Sequence, residues 1–500
     1  MHSPPAWVAD AVFYQIFPDR FARSGRVPAP GALEAWDAPP TVHGFKGGDL
    51  YGIVDGLDHL ARLGATAIYL NPIFASASNH RYHTFDYMAV DPLLGGDEAL
   101  RALLDAAHRR GMRIILDGVF NHASRGFWPF HHVLEAGRHS PFRDWFYFHA
   151  EDLDAGRPLR AYPAESLDEP PGLTTDWAAE HRAGEDSITT LGYRAWWDLP
   201  ALPKLNTDNP TVREYLMTVA EHWMRVGIDG WRLDVPGEIT TLGFWEEFRQ
   251  RVRAINPEAY IVGEIWQERG DLLDGRTFDA LMNYPLAAAI TGYVTGTHLD
   301  AEMVAQHGEL QRQVRAEDAA SFMARIERGT AAYAPSSARS MLTLIGSHDT
   351  PRFLSMAGGD EASLRLAWLV LMTMPGAPCI YYGDEIGMAG EMDPGCRGAF
   401  PWDEARWNAG LLATLTDLVR LRHETPALRS AELERLAVDG MACAYRRGSG
   451  PGSVVVALNA GETDARLPLP DGLTEIFATV PEAGAPGTIP ARSGRVFRAT

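Results

Sequence analysis

Lysine is almost missing from this chain of 500 residues: of its 45 basic residues, only Lys46 and Lys204 are lysines. Arginine and lysine are not interchangeable where geometry matters, so both positions are worth following. Cysteine is scarce as well. Cys379, Cys396 and Cys443 are unevenly spaced and match no metal-ligand pattern, which argues against a disulfide framework and against a zinc site. No run of about 18 apolar residues occurs, so no membrane-spanning helix is expected. The start, MHSPPAWVADAVFYQIF, lacks a basic segment ahead of an apolar core. No signal peptide is therefore expected, and the default location is cytoplasmic. Positive charge is outnumbered by 65 acidic residues, for a net charge of −20. Nucleic acid and anionic membrane are disfavoured as partners on that ground.

What is present is the composition of a globular protein with a large core, 46% hydrophobic and 22% charged. The length exceeds one ordinary domain, although barrels can run past about 250 residues as one unit. Eight short β-rich apolar runs stand out: Val12–Phe17, Ala67–Leu70, Arg113–Asp117, Gly230–Asp234, Tyr260–Glu264, Phe278–Met282, Met341–Gly346 and Pro378–Tyr382. Amphipathic stretches at Leu50–Leu63, Gly96–Arg110, Thr211–Val226, Leu242–Ile255 and Glu361–Met374 separate most of them. Alternation of this kind implies parallel strands with crossover helices, and eight units predict a closed (β/α)8 TIM barrel. The runner-up is an open doubly wound sheet, but no glycine-rich phosphate turn follows the first strand. The rhythm breaks after the third strand, where an aromatic-rich insertion (FWPFHH, FRDWFYFH, YRAWWDLP) intervenes. The predicted organisation is a barrel over residues 1–120 and 206–425, a lid domain over 121–205 and a C-terminal β-sandwich over 426–500. The last follows a helix near Trp407–His423 and consists of short strands with glycine turns (MACAYRR, SVVVALNA, ARLPLP, LTEIFAT, RVFRAT).

The chemistry collects at strand ends. In GWRLDVPGE, Arg232 and Asp234 are two apart and so project to the same side of a strand. A guanidinium beside a carboxylate favours its charged form, as a nucleophile needs. Taken alone, such a pair reads first as a structural ion pair. Three other strands, however, also end in polar groups: Asp117 in DGVFNH, Glu264 in EIW, and Ser347-His348-Asp349. In a barrel, ionisable residues at the C-terminal strand ends are the catalytic ones. Asp234, Glu264 and Asp349 are thus expected to face one cavity, where repulsion and exclusion of water raise the pKa of at least one. A carboxylate and a carboxylic acid across one site suit glycosidic cleavage. Neither a suitably placed nucleophilic Ser or Cys nor an H-x-x-x-H pair competes. Tyr82, Trp128, Trp196, Trp197 and Trp266 offer rings for sugar stacking, although large aromatics are more often core.

At these residues the chain resembles the α-amylase superfamily of glycoside hydrolases. DGVFNH, GWRLDVPGE, EIW and SHD occur in the family's order, together with GFKGGDLYGI, LPKLN and GDEIGMAGEMDPGCRGAFPW. The LPKLN motif resembles the neopullulanase, cyclomaltodextrinase and maltogenic-amylase branch. The resemblance implies Asp234 as nucleophile, Glu264 as acid and base, and Asp349 as the group that binds sugar hydroxyls and distorts the ring. It places Arg232, His122 and His348 on those hydroxyls, Tyr82 beneath the ring, and Asp393 and Arg397 on the next sugar. Trp266 and Lys204 are counted with the substrate-binding residues. Asn121 and Asp117 are expected to organise their loop, and Glu385 and Glu238 to be structural. Retention implies carboxyls of Asp234 and Glu264 about 5–5.5 Å apart.

Three departures from the family shape further expectations. The first strand starts near residue 12, so the branch's preceding β-sandwich is expected to be absent, which puts cyclodextrin preference and the family dimer in doubt. The loop ARSGRVPAP offers Arg23 and Gly25 where calcium would want oxygens, leaving Asp49 and carbonyls; no calcium and no other cofactor is expected. His83 stands where an aspartate is common beside the stacking tyrosine. The expected activity is retaining hydrolysis of α-1,4, and some α-1,6, bonds in malto-oligosaccharides. A glucanotransferase or trehalose-forming isomerase on the same scaffold is the alternative. A non-catalytic sugar-binding homologue is opposed by the presence of all three carboxylates.

Overall fold

A computed structural model describes residues 3–29, 31–163, 187–480 and 487–499. Part of the expected lid, residues 164–186, lies outside them. Eight strands form one parallel sheet: β1 (Phe13–Ile16), β2 (Ala67–Leu70), β3 (Arg113–Gly118), β4 (Gly230–Leu233), β5 (Tyr260–Gly263), β6 (Ala280–Leu281), β7 (Leu342–Thr343) and β8 (Ala377–Tyr381). The hydrogen-bonded order is β6-β5-β4-β3-β2-β1-β8-β7, and a parallel bridge between Met282 and Leu342 joins its two ends. This is the expected TIM barrel. Strands β1, β2, β4 and β5 are buried along their whole length, as strands covered on both faces must be.

Each expected strand is found, but β6 and β7 are cut to two residues. Asn283 accepts from the Leu286 N–H and starts a helix, Tyr284–Val294, directly after β6. Past β7, the Ser347 N–H turns to Thr350 Oγ1. The expected helices also form, with small shifts of their ends. Helix Phe244–Ile255 starts two residues later than expected because Gly243, at φ 72, takes the left-handed cap position. Helices Tyr284–Val294 and Ala319–Ala331 went unpredicted. The first is buried nearly all round and so lacks an amphipathic period.

The chain gathers into two compact units, residues 16–57 with 69–264, and residues 1–15 with 58–68 and 265–500. In the first, Gly230 lets β4 approach β5: a Cβ there would stand 2.1 Å from the Tyr260 carbonyl. A hairpin of Phe74–Ser76 and Thr84–Val90 follows β2. After β3, isolated bridges pair His122 with Lys204 and Phe146 with Leu205, and Phe130 packs edge-on to Phe146 and Tyr193.

In the second unit, an antiparallel sheet near the C-terminus has the order Leu433–Asp439, Ala442–Arg447, Val454–Asn459, Ser493–Ala499, Leu473–Ala478. One face packs Ala444, Val455, Ala457 and Phe497 with Leu467 and Ile489. The other meets the helices of the same unit. Tyr445 bonds Thr373 at 2.6 Å, Tyr293 donates to the Met441 carbonyl at 2.8 Å, and a Cβ on Gly494 would stand 2.3 Å from Leu369. Helix Glu361–Thr373 is accordingly buried at every residue from Leu366 to Thr373.

Candidate active site

The expected residues come together in two groups, one in each unit. In the unit containing residues 69–264, Arg232 is the hub. It leaves β4 with no exposed surface, and its nitrogens reach carboxylates from three strands. Nη1 lies 2.7 and 2.9 Å from the two oxygens of Asp117 and 3.1 Å from Asp234 Oδ1; Nη2 lies 3.0 Å from Glu264 Oε2. Burial opposes the charge on Arg232, but Asp117 and Glu264, with Tyr69 and Tyr82, more than offset it and hold the guanidinium well above its ordinary range.

Asp117 is bonded on both oxygens. Its Oδ2 also accepts hydroxyls from Tyr69 at 2.8 Å and Tyr82 at 2.7 Å. Burial holds its carboxyl above the ordinary value, against the opposing pull of Arg232 and the two phenols. Donors thus reach both of its oxygens. Asp117 therefore orders the arginine and the tyrosine, as its expected loop-organising role implies. Arg232 itself has no exposed surface.

The backbone after Asp234 is strained. Val235 has φ 35 and ψ 50, left-handed values that a β-branched residue rarely adopts. Its N–H donates to Glu264 Oε2 at 3.2 Å. Asp234 and Glu264 keep 8% and 7% exposure, so both are covered yet reachable.

His122 is buried against Trp196, whose ring is parallel to it at 6.0 Å. Burial, with smaller effects from His83 and Lys204, pushes its pKa down to about 3. Burial likewise holds His83 down at about 4, so both rings are neutral under ordinary conditions. Lys204 donates to the Glu238 carbonyl at 2.9 Å, and burial lowers its pKa. Glu238 thus serves to hold a lysine.

The second group lies in the other unit. His348 Nε2 is 3.2 Å from Asp349 Oδ1, and Gln15 Nε2 is 3.0 Å from His348 Nδ1. Arg397 bonds the His348 carbonyl at 2.9 Å, approaches Asp349 at 3.4 Å and pairs with Asp393 at 3.0 Å. Trp266 is stacked on Tyr284 at 3.6 Å and on His307 at 4.9 Å. Glu385 is fully buried, accepting from Tyr14 at 2.6 Å and meeting His59 at 2.8 Å, a structural setting as expected.

Near the family's calcium loop, Asp49 accepts from Ser24 and from the Gly52 N–H. Asp19 accepts from the Lys46 and Gly47 N–H groups. The buried Lys46 ammonium donates to the carbonyls of Ala35 and Ala38 at 2.7 Å and lies 3.3 Å from Glu34. Among the described residues no helix is long and apolar enough to cross a membrane.

A parallel barrel whose fourth and fifth strands deliver an aspartate and a glutamate to one arginine defines a glycoside-hydrolase class of site. The chain belongs to the α-amylase family: the family's catalytic domain matches residues 15–424. A cyclomaltodextrinase from Bacillus sp is 40% identical, over 92% of this chain and 75% of its own. Neopullulanase 2 from Thermoactinomyces vulgaris is 41% identical, over 88% of this chain and 67% of its own. The solved debranching enzyme of Nostoc punctiforme, soaked with acarbose, superposes with a TM-score of 0.84 at 42% identity, covering both chains completely.

Gln15, Tyr69 and Val235 were missed by sequence reasoning. Gln15 carried a signal: it is the one side-chain amide in the buried run FYQI, near a C-terminal strand end. Tyr69 looks like any core aromatic, and the φ of Val235 leaves no trace in composition.

Proposed function

We propose that this protein is a retaining α-glucan hydrolase that cleaves α-1,4 bonds, and some α-1,6 bonds, of malto-oligosaccharides. The observation carrying this reading is the Arg232 guanidinium shared by Asp117, Asp234 and Glu264. An aspartate held ionised beside a glutamate is the pair that double displacement requires. Asp234 attacks the anomeric carbon while Glu264 gives its proton to the leaving oxygen, leaving a β-glycosyl-enzyme. Glu264 then takes a proton from water, which releases the sugar with its configuration retained. Arg232 orients both carboxylates and is assigned, as the family resemblance implies, to the sugar hydroxyls at the cleavage point.

Asp349, with His348, is assigned to the sugar hydroxyls. His122 serves there as a neutral donor, and Tyr82 lies beneath the ring. Asp393 and Arg397 are assigned to the next sugar. The names of the relatives, a cyclomaltodextrinase, a neopullulanase and a debranching enzyme, support an α-glucan substrate and some action on branched chains. No calcium is assigned to the loop of Asp19 and Asp49. Both carboxylates there already accept N–H donors, and a lysine ammonium occupies the neighbouring carbonyls. A cytoplasmic location and the lack of a nucleic-acid partner complete the reading.

Product identification on maltose, maltotriose, starch, pullulan, cyclodextrin and trehalose tests it. Shorter glucans with retained anomeric configuration are expected. Longer or rearranged products without net hydrolysis would instead establish the transferase or isomerase alternative.

A further inference from the structure

Gln15 and His348 meet inside the barrel, each only 1% exposed, so water does not compete for their bond. Neighbouring strand residues face opposite ways. Tyr14 turns to one side of β1 and gives its hydroxyl to Glu385, while Gln15 turns to the other and reaches His348 Nδ1 at 3.0 Å.

A neutral imidazole carries one N–H and one lone pair. Asp349, as a carboxylate, can only accept, and it sits 3.2 Å from Nε2. The hydrogen therefore belongs on Nε2, and Nδ1 must accept. Only the NH2 end of the Gln15 amide satisfies that demand; its carbonyl end would set two lone pairs against each other. The backbone of His348 is held separately, by Arg397 Nε at 2.9 Å and Cys396 Sγ at 3.3 Å on its carbonyl. Those contacts fix where the ring sits but not which nitrogen is protonated.

We propose that Gln15 is a positioning residue of the active site: by donating to His348 Nδ1 it fixes the Nε2–H tautomer, and so keeps an N–H rather than a lone pair facing the Asp349 carboxylate 3.2 Å away. This rests on the glucan-hydrolase reading above. Gln15 touches no substrate in this scheme. Its effect passes through one ring to one carboxylate.

The test separates tautomer from activity. Protein labelled with 15N-histidine is read by NMR without substrate, the His348 signals being assigned by their loss in His348→Asn. Wild-type protein gives an unprotonated Nδ1 and a protonated Nε2. Gln15→Glu, which offers only oxygens, gives both nitrogens protonated, and Gln15→Leu gives a mixture of tautomers. In maltotriose hydrolysis Gln15→Leu loses about 10- to 100-fold in kcat with KM within about threefold, the pattern of a lost transition-state orientation. A protonated Nδ1 in wild type overturns the proposal, as does a Gln15→Leu enzyme with parental kcat. Should Gln15→Leu not fold, the doubly protonated ring expected of Gln15→Glu decides, and a neutral ring there overturns it. A wild-type enzyme with the expected tautomer and no action on any glucan would defeat the functional reading and leave the Gln15–His348 bond standing.

Discussion

One nitrogen of Arg232 spans both Asp117 oxygens at 2.7 and 2.9 Å and also reaches Asp234 at 3.1 Å. The carboxylate assigned to chemistry is thus oriented by an arginine that a different carboxylate anchors. Replacing Asp117 by Asn removes that anchor and leaves a buried guanidinium short of charge. Breaking such a pair costs on the order of 3 kcal/mol. Urea unfolding is expected to show that loss, and kcat on maltotriose to fall at least about 100-fold, because misplaced groups forfeit orientation.

Asp234→Asn is nearly isosteric and keeps the fold. Turnover is expected to vanish while oligosaccharide binding, measured calorimetrically, persists. Appreciable turnover in a clean preparation would mean that the nucleophile is another residue.

Val235→Gly separates activity from stability. The left-handed φ of 35 is strained for valine and easy for glycine, a difference of about 1–3 kcal/mol that offsets the extra chain entropy and lost packing of glycine. The melting temperature is expected to stay within a few degrees of the parent. The bond to Glu264 loosens, and kcat drops about tenfold. A fall in both together would show that the strain has no catalytic purpose.

Asp384 makes stability depend on pH. Burial holds its carboxyl at about 7, above its ordinary 3.8, despite Arg352 at 2.8 Å. Between those values the folded chain binds a proton that the unfolded chain has released, so stability falls as pH rises. The contribution is complete below about 4 and gone above about 7, and it amounts to no more than about 4 kcal/mol. Asp384→Asn carries no such proton. Denaturant titrations at pH 5 and 8 are expected to differ less for the variant than for the parent.

Much of this was legible in the chain, for reasons that particular residues make plain. Strand runs covered on both faces are short and apolar, so all eight barrel strands could be read. Arg232 and Asp234 were found because a period of two puts them on one side. The bond from Gln15 to His348 crosses 333 residues of sequence, and no local pattern encodes it. The stacking of Trp266 on Tyr284 and His307 is likewise invisible in sequence, because a ring's neighbours come from distant segments. The two lysines repaid attention: one is sealed among carbonyls, and the other is tied to Glu238.

The family's catalytic region ends at residue 424, yet helix Glu361–Thr373 is finished by what comes after it. Thr373 needs Tyr445, and Leu369 is fitted to a glycine at position 494. A protein trimmed at residue 424 would keep every barrel strand and every residue assigned to sugar, and would turn a buried helix face into a sticky exterior. Helix Glu361–Thr373 and the C-terminal sheet belong to the same compact unit, although the family boundary runs between them.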